Sequence, residues 1–322
     1  MPSALRTGAA AIALLALAAC TDTQAPDESA RPGNPDGGPL STEPGLRVVS
    51  TSAIAAAVLP GFQIDLRFLN GGSASQVAAF ETARARWQAA IVGDVPDVEG
   101  TIPAKRCGNS FPTPTFNGTV DDILIDVLLQ PIDGPGAVLG AAGPCLIRTA
   151  DNLSLYGIMF FDTEDLGFLE ENGILDEVVV HEMGHVLGIG SLWNFGRNLV
   201  RGTAADPRFV GPRGVAAYQS IGGKGISIPV EEDGGPGTAL SHWDEETFGP
   251  ELMTGFIGLG SSPLSVMTIE SLADMGYQVN PAVAERFRVT GPQPRAEFAT
   301  ASTATVNLIE RMKAIRPVAT VK

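Results

Sequence analysis

Apolar and polar residues alternate along Phe62-Gln63-Ile64-Asp65-Leu66-Arg67-Phe68, which predicts a strand with one buried face. The period then lengthens. Val77, Phe80, Ala83, Trp87 and Ile91 recur in steps of three and four, predicting a helix over 75–92 capped by Ser73 or Ser75. Residues 121–129, Asp-Asp-Ile-Leu-Ile-Asp-Val-Leu-Leu, read as a second, more buried strand, and Leu155–Phe161 as a third. Between them, residues 133–144 are glycine-rich and read as a loop. No Lys-Ser/Thr follows and no helix opens there, so the loop is not a phosphate cradle. Leu175, Val179, Met183 and Val186 return to helical spacing. Asp176 and Glu177 sit at the start of that helix, and Gly188 and Gly190 lie just past its end. Val178–Val180 are mediocre helix formers, so burial must hold that turn. About fifty residues rich in Gly and Pro follow, with one short helix expected near Val215–Ser220 and a possible amphipathic helix at Val306–Ile315. Strand, helix, strands, then helix is an α+β order, a sheet packed on helices.

Composition changes this picture at the N-terminus. Arg6 precedes an apolar run, Ala9–Ala19, that is too short for a stable membrane anchor. It ends Leu17-Ala18-Ala19-Cys20, which resembles the bacterial lipobox. The resemblance implies a signal peptide over 1–19, a lipidated Cys20 and, with Thr21 next, an exported protein held at the outer membrane or cell surface. Residues 20–46 have almost no large apolar side chains and read as a flexible tether. The 322 residues carry a formal charge of −15, which offers nucleic acid no basic patch.

The chemistry lies in His181-Glu182-Met183-Gly184-His185, which uses two of the chain's three histidines. On a helix, positions four apart share a face about 6 Å apart, so both imidazoles reach one tetrahedral metal, and zinc suits them. Glu182 stands beside the first ligand, where a carboxylate can take a proton from zinc-activated water. The competing reading is a buried helix with two incidental histidines. A third protein ligand is needed. His242 is the remaining histidine, with Asp244 or Glu245 as alternatives. Met253 follows in Glu-Leu-Met-Thr, either as part of the site or as an ordinary core filler.

His181-Glu182-x-x-His185-x-x-Gly188 is similar to the opening of the metzincin zinc-protease signature. Ser191 stands where a compact metzincin has its third histidine. A long insertion before His242, then Met253, resembles the leishmanolysin-like branch, as does Ser265–Tyr277 as a closing helix. The likeness covers roughly residues 60–280. It implies a metzincin-like fold: a twisted mixed sheet with the zinc helix over 47–190 and an irregular C-terminal subdomain over 191–280; a tail over 281–322 falls outside the likeness. It implies one zinc ion held by His181, His185 and His242, and Met253 in a turn beneath it. The strand near 156–161 would lie along the cleft and pair with an extended peptide or protein substrate. Gly255 replaces the tyrosine that some metzincins add. The expected activity is endopeptidase with Glu182 as general base; the alternative is a non-catalytic envelope lipoprotein with a structural zinc.

In an exported chain, Cys107 and Cys145 are expected to form a disulfide. Arg106-Cys107-Gly108 also faintly resembles the cysteine switch of matrix metalloproteases, in which a thiolate blocks zinc.

Overall fold

The computed structural model describes residues 41–42, 46–48, 61–136, 139–235, 237–255, 257, 260–291, 312–314 and 319–321. The leader and Cys20 fall outside them. In chain order come β1 (Ser41–Thr42), β2 (Arg47–Val48), β3 (Ile64–Phe68), α1 (Ala74–Ala90), β4 (Val98–Ile102), β5 (Phe116–Val120), β6 (Ile123–Gln130), β7 (Gly140–Arg148) and β8 (Ser154–Asp162). Then follow α2 (Thr163–Glu171), α3 (Leu175–Leu187), β9 (Val200–Thr203), β10 (Asp206–Phe209), α4 (Pro212–Ser220), β11 (Ile228–Pro229), α5 (Glu245–Phe248), α6 (Val266–Met275), β12 (Met312–Ala314) and β13 (Ala319–Val321). The chain is α+β.

The principal sheet runs β1-β13-β7-β8-β6-β3, with β12 also on β7. β3, β6 and β8 are parallel, while β7 runs antiparallel to β8. Buried β6, with partners on both edges, needs the near-continuous apolar run its sequence has. Two smaller antiparallel sheets, β2-β4-β5 and β9-β10-β11, flank it.

Ser73, not Ser75, caps α1, in a reciprocal box with Gln76. Ala79, Phe80, Ala83, Trp87 and Ala90 are its buried side, and it packs on α3. Trp87 Nε1–H donates to the Val180 carbonyl at 2.9 Å, which fixes one helix against the other. Every residue of α3 from Val178 to Leu187 is buried, so this helix lies inside the molecule. That burial offsets the poor propensity of its three valines.

Three expectations need correction. The stretch 133–144 is not all loop: β7 begins at Gly140. A Cβ at Gly140 would stand 3.0 Å from the Phe160 carbonyl, so this glycine serves close strand packing. The strand at 156–161 does not lie free along a cleft. It belongs to β8, which is paired on both edges, with β6 and β7. The expected helix at 306–315 is extended at Met312–Ala314, where β7 supplies strand partners and Pro317 opposes helix just beyond; the rest of that stretch lies outside the described residues.

Cys107 and Cys145 are disulfide-bonded, with Cα atoms 4.9 Å apart, in a second apolar cluster with Val98, Ile102, Leu146 and Tyr156. Cys107 is therefore no switch thiolate.

Candidate metal centre

α3 carries His181 and His185 one turn apart, and His242 arrives from the segment just before α5. All three side chains are buried. Their Nε2 atoms form a triangle: 3.0 Å between His181 and His185, 3.0 Å between His185 and His242, and 3.1 Å between His181 and His242. Each Nδ1 faces a backbone carbonyl: Leu252 at 2.7 Å for His181, Ile189 at 2.9 Å for His185, and Thr238 at 2.9 Å for His242. A carbonyl only accepts, so each Nδ1 carries the proton and each Nε2 presents a lone pair. Three lone pairs converging without a proton between them repel. A cation at their centre resolves this. Tetrahedral zinc with bonds of about 2.0–2.1 Å sets its nitrogens about 3.3 Å apart, within a few tenths of the observed triangle.

Electrostatics point the same way. Burial, with the His242 charge, brings His181 down to about 3, and burial brings His242 down to about 4. These two imidazoles stay neutral, the form that binds metal. Glu182 lies about 100° around the helix from His181 and about 60° from His185. Both its carboxylate oxygens are buried without a hydrogen-bond partner, and burial raises its pKa to about 8. A cation beside it would draw that value back down.

Local chemistry explains how the pieces meet. Gly188 ends α3 in the left-handed conformation. Gly190 follows at φ +70°, and a Cβ there would lie 1.9 Å from the Ser241 carbonyl. Only glycine lets the segment bearing His242 come so close. Ser191 donates from Oγ to the His185 carbonyl at 2.6 Å, so it closes the helix end and is not a ligand. Trp193 and Trp243, 4.5 Å apart, form an aromatic cluster with Phe209 and Phe248 that anchors the long segment after α3. Asp244 is outside the triangle: it caps α5, accepting from the Thr247 N–H at 2.9 Å. Glu245 N–H donates to Glu231, and that residue too stands apart from the histidines.

Met253 is buried, and its sulfur is the nearest side-chain atom to where a Cβ on Gly184 of α3 would lie, at 2.8 Å. Glu251 carries no expectation from sequence, yet it organises this turn. Its buried carboxylate accepts from the Met253 N–H at 2.7 Å, the Ser265 N–H at 3.3 Å, Ser265 Oγ at 2.6 Å and Thr268 Oγ1. Trp243 Nε1–H in turn donates to Thr268 Oγ1, and the Trp243 N–H to the Met253 carbonyl. A lone acid beside buried apolar neighbours in Glu251-Leu252-Met253 was the available signal.

A three-histidine group able to hold a metal, beside an unpaired carboxylate, is the arrangement of metal-dependent hydrolases. The family model for leishmanolysin matches residues 94–309. The chain belongs to that family of metallopeptidases. No curated protein matched it. The matched span begins after β3 and α1 and runs past residue 280, so the likeness extends further toward the C-terminus and less far toward the N-terminus than the motifs suggested.

Proposed function

We propose that this protein is a zinc-dependent endopeptidase of metzincin type, with one zinc ion on His181, His185 and His242 and with Glu182 as general base. The observation that carries this is the combination of three convergent Nε2 lone pairs and a buried carboxylate with no other partner on the same helix. His181, His185 and His242 would hold the zinc, which when bound would supply an acidified water and polarisation of the scissile carbonyl. Glu182 receives the water proton on a carboxylate oxygen and passes it to the leaving amine nitrogen. The three backbone carbonyls keep the imidazoles in the required tautomer. Met253 packs beneath the helix and does not bind metal. Because β8 is enclosed by β6 and β7, an extended substrate would pair with the outer edge of β7, in competition with β12 and β13.

A structural zinc in a binding protein would have no use for an unpaired buried carboxylate, which disfavours that alternative. Glu182→Gln is the test. It should retain stoichiometric zinc and lose about 10²- to 10⁴-fold in peptide cleavage. Undiminished cleavage would sink the mechanism, and a zinc-loaded wild type that cleaves no member of a peptide library would sink the peptidase reading. We also place the protein at a bacterial envelope through a lipid on Cys20, a reading supported by the lipobox-like Leu17–Cys20 and by the Cys107–Cys145 disulfide. Fatty-acid labelling that persists in Cys20→Ala would refute it.

A further inference from the structure

The outer edge of β7 is occupied by this chain itself. β12 pairs parallel to β7, with Met312 opposite Gly140, Lys313 opposite Ala141 and Ala314 opposite Ala142. β13 continues along the same edge, with Ala319 opposite Leu146, Thr320 opposite Ile147 and Val321 opposite Arg148. Between the two stretches the tail advances five residues, from 314 to 319, while β7 advances four, from 142 to 146. β1 pairs with the far side of β13 at Ser41 and Thr42, so that strand is held from both sides.

The place is not neutral. β7 packs against α3, and β12 also lies against α3. A Cβ on Gly157, opposite Pro144, would meet both Val186 of α3 and the Gly143 carbonyl, so the middle of β7 sits at the level of the histidine-bearing turn. Among the described strands, β8 is enclosed by β6 and β7, whereas strand addition at the outer edge of β7 would bring a peptide main chain beside α3 if β12 and β13 gave way. Both tail strands also fall outside the family match, which ends at residue 309.

We infer that the outer edge of β7 is a strand-addition surface whose resident occupants are the C-terminal strands β12 and β13, intramolecular competitors of the peptide substrate. This rests on the peptidase reading above. A tethered segment faces its site at an effective concentration on the order of millimolar, so even a weak pairing of six residues competes with free substrate. An edge free about one tenth of the time raises the apparent KM about tenfold and leaves kcat alone.

The experiment compares the full zinc-loaded protein with a chain ending at residue 309, and with the full-length double variant Lys313→Pro, Thr320→Pro, which disrupts both pairings without shortening the chain. Both altered forms should show KM lowered about tenfold with kcat unchanged. A synthetic peptide of residues 310–322 should raise KM again, competitively, in the truncated form. Equal KM in all three proteins at full zinc overturns the inference. Binding of the same peptide, fluorescently labelled, gives a readout independent of catalysis: it should bind the truncated chain about tenfold more tightly than the intact one. Equal affinity for both, or binding to neither, also overturns the inference. Absence of cleavage by every form would instead refute the peptidase reading, and labelled-peptide binding would still decide who occupies the edge.

Discussion

Replacing Glu251 by alanine tests how the metal centre is held. The carboxylate accepts two backbone N–H groups, from Met253 and Ser265, and two hydroxyls. The hydroxyls can turn toward one another, since Ser265 Oγ and Thr268 Oγ1 are 3.4 Å apart. The two N–H groups have no such freedom, and leaving each buried and unpaired costs about 1–3 kcal/mol. Against this stands relief from burying the carboxyl, whose pKa is raised by that burial. The net loss should be about 2–4 kcal/mol of folding stability, within the range for breaking a buried hydrogen-bond network. The effect should also reach the metal. Leu252 lies between Glu251 and Met253, and its carbonyl orients His181. Loss of such an orienting contact typically lowers metal affinity 10- to 100-fold. Urea unfolding of the metal-free protein measures the first quantity, and competition with a chromogenic zinc chelator the second. Glu251→Gln, which keeps an acceptor for the Met253 N–H, should fall between wild type and alanine in both. If Glu251→Ala loses stability but binds zinc like wild type, Glu251 is core packing only and the route through Leu252 is wrong.

Gly190→Ala should abolish stoichiometric zinc binding while leaving far-ultraviolet circular dichroism largely intact, because its methyl would displace Ser241 and with it His242; metal analysis of purified protein decides. Asp122 accepts from the Gln63 and Val95 N–H groups, but burial, with the charges of Asp121 and Asp94, pushes it up to about 7. Its folded pKa thus exceeds the unfolded value of about 3.9, so its contribution to stability is full below about pH 4 and is lost as pH rises through 7. Asp122→Asn should remove that slope, and denaturation curves from pH 4 to 8 that stay parallel for the two proteins would contradict this. Chelating the metal should loosen 238–254 more than α3, since His242 and two of the three orienting carbonyls, Thr238 and Leu252, lie there, whereas α3 is locked by buried packing. Hydrogen exchange with and without EDTA reads the difference, and equal deprotection of both segments would refute it.

Periodicity located α1, β3, β6, β8 and α3 because each has one dominant environment: a single buried stripe, or burial on every side. It failed where backbone contacts outweigh side chains. Gly140 reads as loop in a window of residue types, yet its lack of a side chain is what lets β7 approach Phe160. Ser75 and Ser73 are equivalent caps on paper. Only Ser73 has Gln76 three residues on to close the box. Strand order was illegible for a different reason. The run at 156–161 predicts a strand, but nothing in it says which edges are covered, and that is decided by β6 and β7 from elsewhere in the chain. The tail strands form on a partner edge that no local pattern encodes.

The site itself was half legible on similar grounds. His181 and His185 are linked by helix geometry alone, so five residues suffice to place them together. His242 is 57 residues beyond His185, and its return depends on contacts with no period. Trp193 and Trp243, from the two ends of the excursion, pack against each other, Gly190 clears the way for Ser241, and Thr238 aligns the ring. Glu251 then ties the turn at Met253 to the start of α6 through Ser265 and Thr268. Ile189 and Thr238 lie four residues from the histidines they orient, but the carbonyl that orients His181 comes from Leu252, 71 residues on, so the tautomer of His181 is set only once that turn has folded against α3. The convergent lone pairs make that folded arrangement self-repelling without a cation. Metal affinity and the folding of the segment after α3 are therefore one quantity seen from two sides: whatever loosens Trp193, Gly190 or Glu251 weakens the metal, and whatever removes the metal loosens them.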